Sequence, residues 1–203
     1  MSERRVALTF DTEHPGRSQC PPGVVDSLLD TLTATGVRAS FFIQGRWASA
    51  YPAVARRIAD DGHLVANHSN YHARLIYLTL PGIREDVRAA ESRIEEATGV
   101  NPKPWFRCPF GAGERDRRVL KVLDDLGYRN VRWNVAPKDW LEDRTGQQVE
   151  DLVVEGVRAH GDGANVLMHS WPAPTAEALP GIITRLREEA FELVTVDALA
   201  RGH

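Results

Sequence analysis

Two histidines four residues apart, His68 and His72, have the spacing most suggestive of chemistry in this chain. An i, i+4 pair puts two imidazoles on one face of a helical turn, which suits zinc or a similar divalent ion. The spacing alone is equally well explained by two surface or capping histidines. Its place favours ligation: it follows the apolar run Leu64–Asn67 directly, with Asn67 and Ser69 as hydrogen-bonding neighbours. A catalytic zinc centre takes a third protein ligand and leaves one position for water. Asp11 and Glu13, which follow the run Val6–Phe10, are the candidate donors, with His14 as a spare. Residues 11 and 13 point the same way if that strand continues, so the turn is expected to break the alternation.

Further polar residues fall at the ends of other apolar runs. Arg107 is embedded in the apolar segment Trp105–Phe110, where an unpartnered guanidinium is costly, so a carboxylate partner is expected in Asp11 or Asp139. His169 closes Val166-Leu167-Met168. Alone it reads as a core histidine; beside a metal site it becomes a proton donor, because its ordinary pKa lies near neutrality. Trp140, Leu167 and Trp171 are candidates to line an apolar slot next to it, or simple packing residues. Cys108 alternates with Arg107 and is expected to face the packing side. His63, His160 and His203 carry no pattern of their own.

Seven short apolar runs are expected as buried strands: Val6–Phe10, Ala39–Gln44, Leu64–Asn67, Trp105–Phe110, Asn130–Val135, Asn165–His169 and Glu192–Val196. Between them lie amphipathic stretches that predict helices over Val24–Thr35, Pro52–Asp61, Ile83–Thr98, Glu114–Leu126, Gln147–His160 and Glu177–Ala190. Gly36, Gly62, Gly99 and Gly127 stand where four of them stop. Strands that alternate with helices pair in parallel through right-handed crossovers, giving either an open α/β sheet or a small barrel. In such folds the C-terminal strand ends carry the chemistry. That is where Asp11, His68, Arg107, Asp139 and His169 fall.

The 203 residues, 42% of them hydrophobic, suit a single domain over residues 1–203 with one core. Twenty-five basic against 28 acidic residues leave a net charge of −3, which gives no reason to expect a nucleic-acid partner. No apolar run approaches the ~18 residues of a membrane span. The N-terminal apolar segment meets Asp11 and Glu13 too early for a secretory signal, and Cys20 and Cys108 cannot make a disulfide framework. A cytoplasmic protein is expected.

The motifs, in order, resemble those of the NodB-homology polysaccharide deacetylases, carbohydrate esterase family 4, from about Val6 to Val196. Thr9-Phe10-Asp11 is similar to the first motif and Ala39–Gly45 to the strand-two signature after it. Gly62–His72 resembles the metal-binding motif, Arg107-Cys108-Pro109-Phe110-Gly111 the third, Asp139-Trp140 the fourth and Leu167-Met168-His169 the fifth. The resemblance implies an α/β fold, a distorted (β/α)7-type barrel, and hydrolysis of an N-acetyl or other acyl group from an amino sugar or oligosaccharide. It implies one divalent ion, zinc first and cobalt, nickel or manganese after it, on His68 and His72. Asp11 would be the general base, oriented by Arg107, and His169 the general acid, tuned by Asp139. Trp140 and Leu167 would line an acetyl-methyl pocket, and the Phe110 N–H would meet the developing oxyanion. The family's first motif has a second aspartate where this chain has Thr12, so Glu13 is the expected substitute ligand. Two other readings stand beside this one: a C–N hydrolase acting on a small cyclic amide, imide or metabolite, and a metal-free carbohydrate-binding pseudoenzyme.

Overall fold

A computed structural model describes residues 4–13 and 23–201. In chain order the elements are β1 (Arg4–Thr12), α1 (Val24–Thr35), β2 (Ser40–Ile43), α2 (Gly45–Ala50), α3 (Pro52–Asp60), β3 (Leu64–Asn67), α4 (Leu80–Thr98), β4 (Trp105–Phe106), α5 (Arg117–Asp125), β5 (Arg129–Asn130), α6 (Gly146–His160), β6 (Ala164–His169), α7 (Ala173–Glu188), β7 (Phe191–Val194) and α8 (Val196–Ala200). The pairs β1–β6, β1–β7, β3–β4 and β4–β5 are all parallel, as the alternation predicts. No helix among the described residues is long and apolar enough to cross a membrane. The chain divides into two compact units: Met1–Ser40 with Gly62–Leu64 and Trp133–His203, and Phe41–Asp61 with Val65–Arg132.

In the first unit β1 lies between β6 and β7. Every residue from Val6 to Thr12 is buried, as is all of β6, the burial of strands covered on both faces. Their register sets Val6 beside Ala164 and Asp11 beside His169, so the two strands deliver these side chains at the same level. Thr9 reinforces the register by donating its hydroxyl to the Val166 carbonyl at 2.6 Å. Leu28, Leu29 and Leu32 form the buried stripe of α1, which stops at Gly36 in a left-handed conformation (φ 64°) as its C-terminal glycine predicts. A reciprocal cap between Thr145 and Gln148 opens α6. The helix α7 starts four residues before the expected Glu177, because Pro174 in its first turn removes only an N–H that has no helical partner.

In the second unit the His68 N–H donates to the Ile43 carbonyl at 2.9 Å, Asn67 pairs with Phe106, and Phe106 pairs with Asn130. Leu75, Ile83, Val87, Phe106, Val119, Val122 and Leu123 make its core. Burial of each such side chain is worth about 1.5–3 kcal/mol. Two expected strands are shorter than predicted. β4 keeps two regular positions, since Pro109 has no N–H to give and Phe110 is left-handed (φ 58°). β5 also keeps two, and Val135 pairs with Val166 instead. α4 begins at Leu80, capped by the Thr79 hydroxyl, and α5 begins at Arg117, capped by Asp116. The short α2 was not legible in the periodicity. Its Gly45 is required by proximity: a Cβ there would stand 2.7 Å from both the Ala90 Cα and the Asn70 Oδ1.

Candidate functional site

In the first unit the chemistry centres on His169, at the end of β6. Its Nδ1 lies 2.9 Å from Asp139 Oδ1, and its backbone N–H donates to Asp139 Oδ2 at 2.6 Å. The Thr175 hydroxyl donates to the same oxygen at 2.7 Å, so both oxygens of this buried carboxylate are engaged. Trp140 meets the imidazole edge-on at 5.1 Å between centroids, and Trp171 lies at 5.6 Å. Leu167 is buried two residues back along the strand. On the ring's other side Nε2 is 4.0 Å from Glu13 Oε1. Burial pushes the His169 pKa down, but Asp139, by charge and hydrogen bond, and then Asp11 and Glu13 outweigh it and raise the pKa to about 9. The imidazole is therefore a cation at neutral pH in the metal-free protein.

The expected break in alternation after β1 does not occur. The strand runs through Thr12, and Asp11 and Glu13 both act on His169. Residues two apart on an extended chain share a side, so both carboxylates arrive there without a turn. Thr12, between them, is fully buried and its hydroxyl oxygen accepts and donates no hydrogen bond among the described residues. His14, Cys20 and His203 lie outside those residues.

In the second unit β3 delivers His68, fully buried, and the loop after it carries His72. The two rings are 5.0 Å apart. Their convergence does not come from a helical turn, as the i, i+4 spacing predicts. Residues 68–72 form an irregular loop in which Ser69 (φ 68°) and His72 (φ 55°) are left-handed. A left-handed non-glycine residue needs its surroundings to hold it, and here they do. The Ser69 N–H donates to Asn67 Oδ1 at 2.9 Å, and the Gly45 N–H donates to the Ser69 carbonyl at 3.0 Å. Asp86, buried on α4, accepts from the N–H groups of Asn70 and Tyr71, both at 3.1 Å. The sequence reading missed Asp86, although an acid inside the apolar stripe Ile83, Val87, Ala90 was its visible signal.

His68 Nδ1 lies 2.9 Å from the Arg107 carbonyl. A carbonyl only accepts, so Nδ1 carries the hydrogen and the lone pair sits on Nε2, the tautomer that ligates a metal. Two neighbouring imidazoles, one with its tautomer fixed, suit a borderline-soft divalent ion. Arg107 itself is fully buried, its guanidinium 3.9 Å from the Phe42 ring centroid, with Nε donating to the Val131 carbonyl at 3.5 Å. Phe110 is half exposed and packs on His72 at 4.4 Å. Cys108 faces the core as expected, and burial, with Glu114 adding to it, pushes its thiol up to about 12, which makes it inert. His63 accepts from the Ala39 N–H, and His160 meets the Asn134 amide.

The sequence pattern of the polysaccharide deacetylase family matches residues 1–131, and the chain belongs to that family. It is 30% identical over 199 residues to the peptidoglycan N-acetylmuramic acid deacetylase PdaA of Bacillus subtilis, covering 97% of this chain and 72% of that one. It is 32% identical over 199 residues to the peptidoglycan N-acetylglucosamine deacetylase PgdA of Listeria monocytogenes, where it covers 98% of this chain and 39% of that protein's length. Among solved structures it resembles the family 4 carbohydrate esterase of Streptomyces lividans in complex with acetate (TM-score 0.80, 33% identity, 94% of this chain and 91% of that one). It also resembles a family 4 pseudoenzyme of Bacillus anthracis (TM-score 0.84, 28% identity, 98% and 66%). The expected α/β fold is the fold of these esterase structures.

Proposed function

We propose that the protein is a metal-dependent deacetylase that hydrolyses the N-acetyl group of an amino sugar, with a glycan such as those named for its relatives as substrate. The observation that carries this is the His169 environment: a buried imidazole held by Asp139 and faced by two more carboxylates, in a chain that elsewhere presents two histidines of ligand type. His68, His72 and Glu13 would hold the ion, Glu13 standing in for the carboxylate that Thr12 cannot supply. Such an ion acts as a Lewis acid toward the acyl oxygen and acidifies water.

The chain's own residues carry the proton movements. Asp11, oriented by Arg107, takes a proton from the attacking water as its oxygen bonds to the acyl carbon. The Phe110 N–H donates to the oxyanion that develops. As the C–N bond breaks, His169 passes its proton to the nitrogen, which leaves as an amine rather than an amide anion. Asp139 keeps that proton available and the ring oriented, while Trp140 and Leu167 shape the space for the acetyl methyl. Acetate release from N-acetylglucosamine oligomers, measured with and without chelator, tests the reading. Full activity in metal-free protein overturns it.

A second reading, a metal-free carbohydrate-binding pseudoenzyme, is favoured by one observation: Thr12 buries a hydroxyl where the family pattern has a carboxylate. One equivalent of tightly held metal in the purified protein decides against it.

A further inference from the structure

Asn67 ends β3 directly before His68, and each position of its buried amide has a partner in the second unit. Its Nδ2 donates to the Val87 carbonyl and to the Tyr128 hydroxyl oxygen, both at 3.1 Å. Its Oδ1 accepts the Ser69 N–H, where the chain bends between His68 and His72. A flipped amide would set Nδ2 against the Ser69 N–H and Oδ1 against the Val87 carbonyl, so these partners allow one orientation. The Tyr128 hydroxyl can donate or accept, and Glu91 decides which. Glu91 Oε2 takes the hydroxyl hydrogen at 3.0 Å, while its Oε1 accepts from Lys103 Nζ at 2.7 Å. That leaves the hydroxyl a lone pair for Asn67. The Tyr128 ring is buried and stands edge-on to Phe106 at 5.8 Å between centroids. Burial above all pushes the hydroxyl pKa up, so it keeps its hydrogen at neutral pH.

We propose that Tyr128, held by Glu91, is a positioning residue for the histidine pair: its hydroxyl locks the Asn67 amide, and that amide sets the left-handed Ser69 and so the approach of His72 to His68. The donors run one way, from the Ser69 N–H through Asn67 and Tyr128 to the Glu91 carboxylate, and each bond polarises the next. Turning any member round would leave a buried donor facing a donor, which is costly. A left-handed serine persists only where its surroundings hold it. Freeing the Asn67 amide therefore lets the chain relax at Ser69 and draws the two rings apart. Asp86 acts separately, on the N–H groups of Asn70 and Tyr71 farther along the loop.

The inference rests on the deacetylase reading for the ion the pair would hold, so the experiment separates the two. Tyr128→Phe removes the hydroxyl and keeps the ring. In chelator-treated protein, amide exchange followed by nuclear magnetic resonance should show the Ser69 N–H exchanging ~5-fold faster in this variant, the size of one neutral hydrogen bond. Zinc affinity by competition titration should fall ~10-fold, the lower end for residues that orient ligands, while acetate release at saturating zinc keeps most of kcat. Glu91→Ala should repeat both changes. Glu91→Gln, which retains an accepting oxygen, should recover most of the affinity. Val122→Ala truncates a side chain on α5 in the same core as Tyr128. It should lower stability and leave Ser69 exchange and zinc affinity as in wild type. Unchanged Ser69 exchange or unchanged zinc affinity in Tyr128→Phe, or an equal loss of affinity in Val122→Ala, overturns the positioning role. Wild type that takes up no zinc overturns the deacetylase reading instead, and Ser69 exchange still decides the role of Tyr128.

Discussion

His68 and His169 are the same residue type, both at the C-terminal end of a parallel strand, and their Nδ1 atoms meet different partners. The Nδ1 of His68 is answered by a peptide carbonyl, that of His169 by a carboxylate. A carbonyl fixes a tautomer without adding charge, which places the hydrogen of His68 on Nδ1. Asp139 adds a full negative charge in a buried place, backed by Asp11 and Glu13, and turns His169 into a cation that can give up a proton. The partner on Nδ1 sets the tautomer in one case and the charge in the other. The surroundings differ in the same sense: the His68–His72 loop is held by backbone N–H groups on Asn67 and Asp86, the His169 ring by side chains.

The largest test of this contrast is to remove each imidazole. His169→Ala should lower kcat by roughly 10²–10⁴-fold, the usual worth of a general acid, and leave metal content by elemental analysis unchanged. His68→Ala should lose metal and activity together. Loss of metal in His169→Ala would erase the distinction.

The charge state of His169 makes a stability prediction. Its folded pKa of about 9 exceeds the ordinary 6.5, so the protonated form stabilises the fold fully below pH 6.5, and that contribution is lost as pH rises through 9. The shift corresponds to about 3 kcal/mol. Denaturant unfolding of chelator-treated protein between pH 6 and 10 should show this decline, and Asp139→Asn should flatten it. A flat wild-type profile would mean that His169 is neutral.

Smaller effects probe how the His68–His72 loop is held. Asp86→Asn replaces an acceptor of two N–H groups by a side chain with one acceptor oxygen. Metal affinity by competition titration should weaken about 10–100-fold, as for other residues that orient ligands, with far-ultraviolet circular dichroism unchanged. Wild-type affinity would show that the loop holds itself. Gly45→Ala should cost about 1–3 kcal/mol in denaturant unfolding, because the new Cβ meets the α4 backbone and Asn70; a neutral outcome would show that α2 can move away from α4 freely.

Most of the strands and helices were legible because their signals are local. Val6–Phe10 and Ala164–His169 are continuous apolar runs, and α1 shows a leucine stripe ended by glycine. The chemistry-bearing residues were legible because they stand where apolar runs end. What periodicity missed depends on contacts distant in sequence. α2 is set by the approach of Gly45 to Ala90, and the histidine loop by Asp86, fourteen residues beyond His72. The fourth-motif aspartate was visible, but its third hydrogen bond, from Thr175, was not.

The amino-acid order was sufficient for the alternation of strands and helices, the identity of the strand-end residues and the family to which they belong. Patterning and motif order are properties of neighbours along the chain, and hydrophobic burial follows them directly. Protonation states and local backbone were settled by the fold. Whether a histidine meets a carbonyl or a carboxylate, and whether residues 68–72 take a helical turn or a left-handed bend, depends on groups from other strands and helices. Electrostatic energy depends on distance in space, and only packing brings Asp139 to within 2.9 Å of His169.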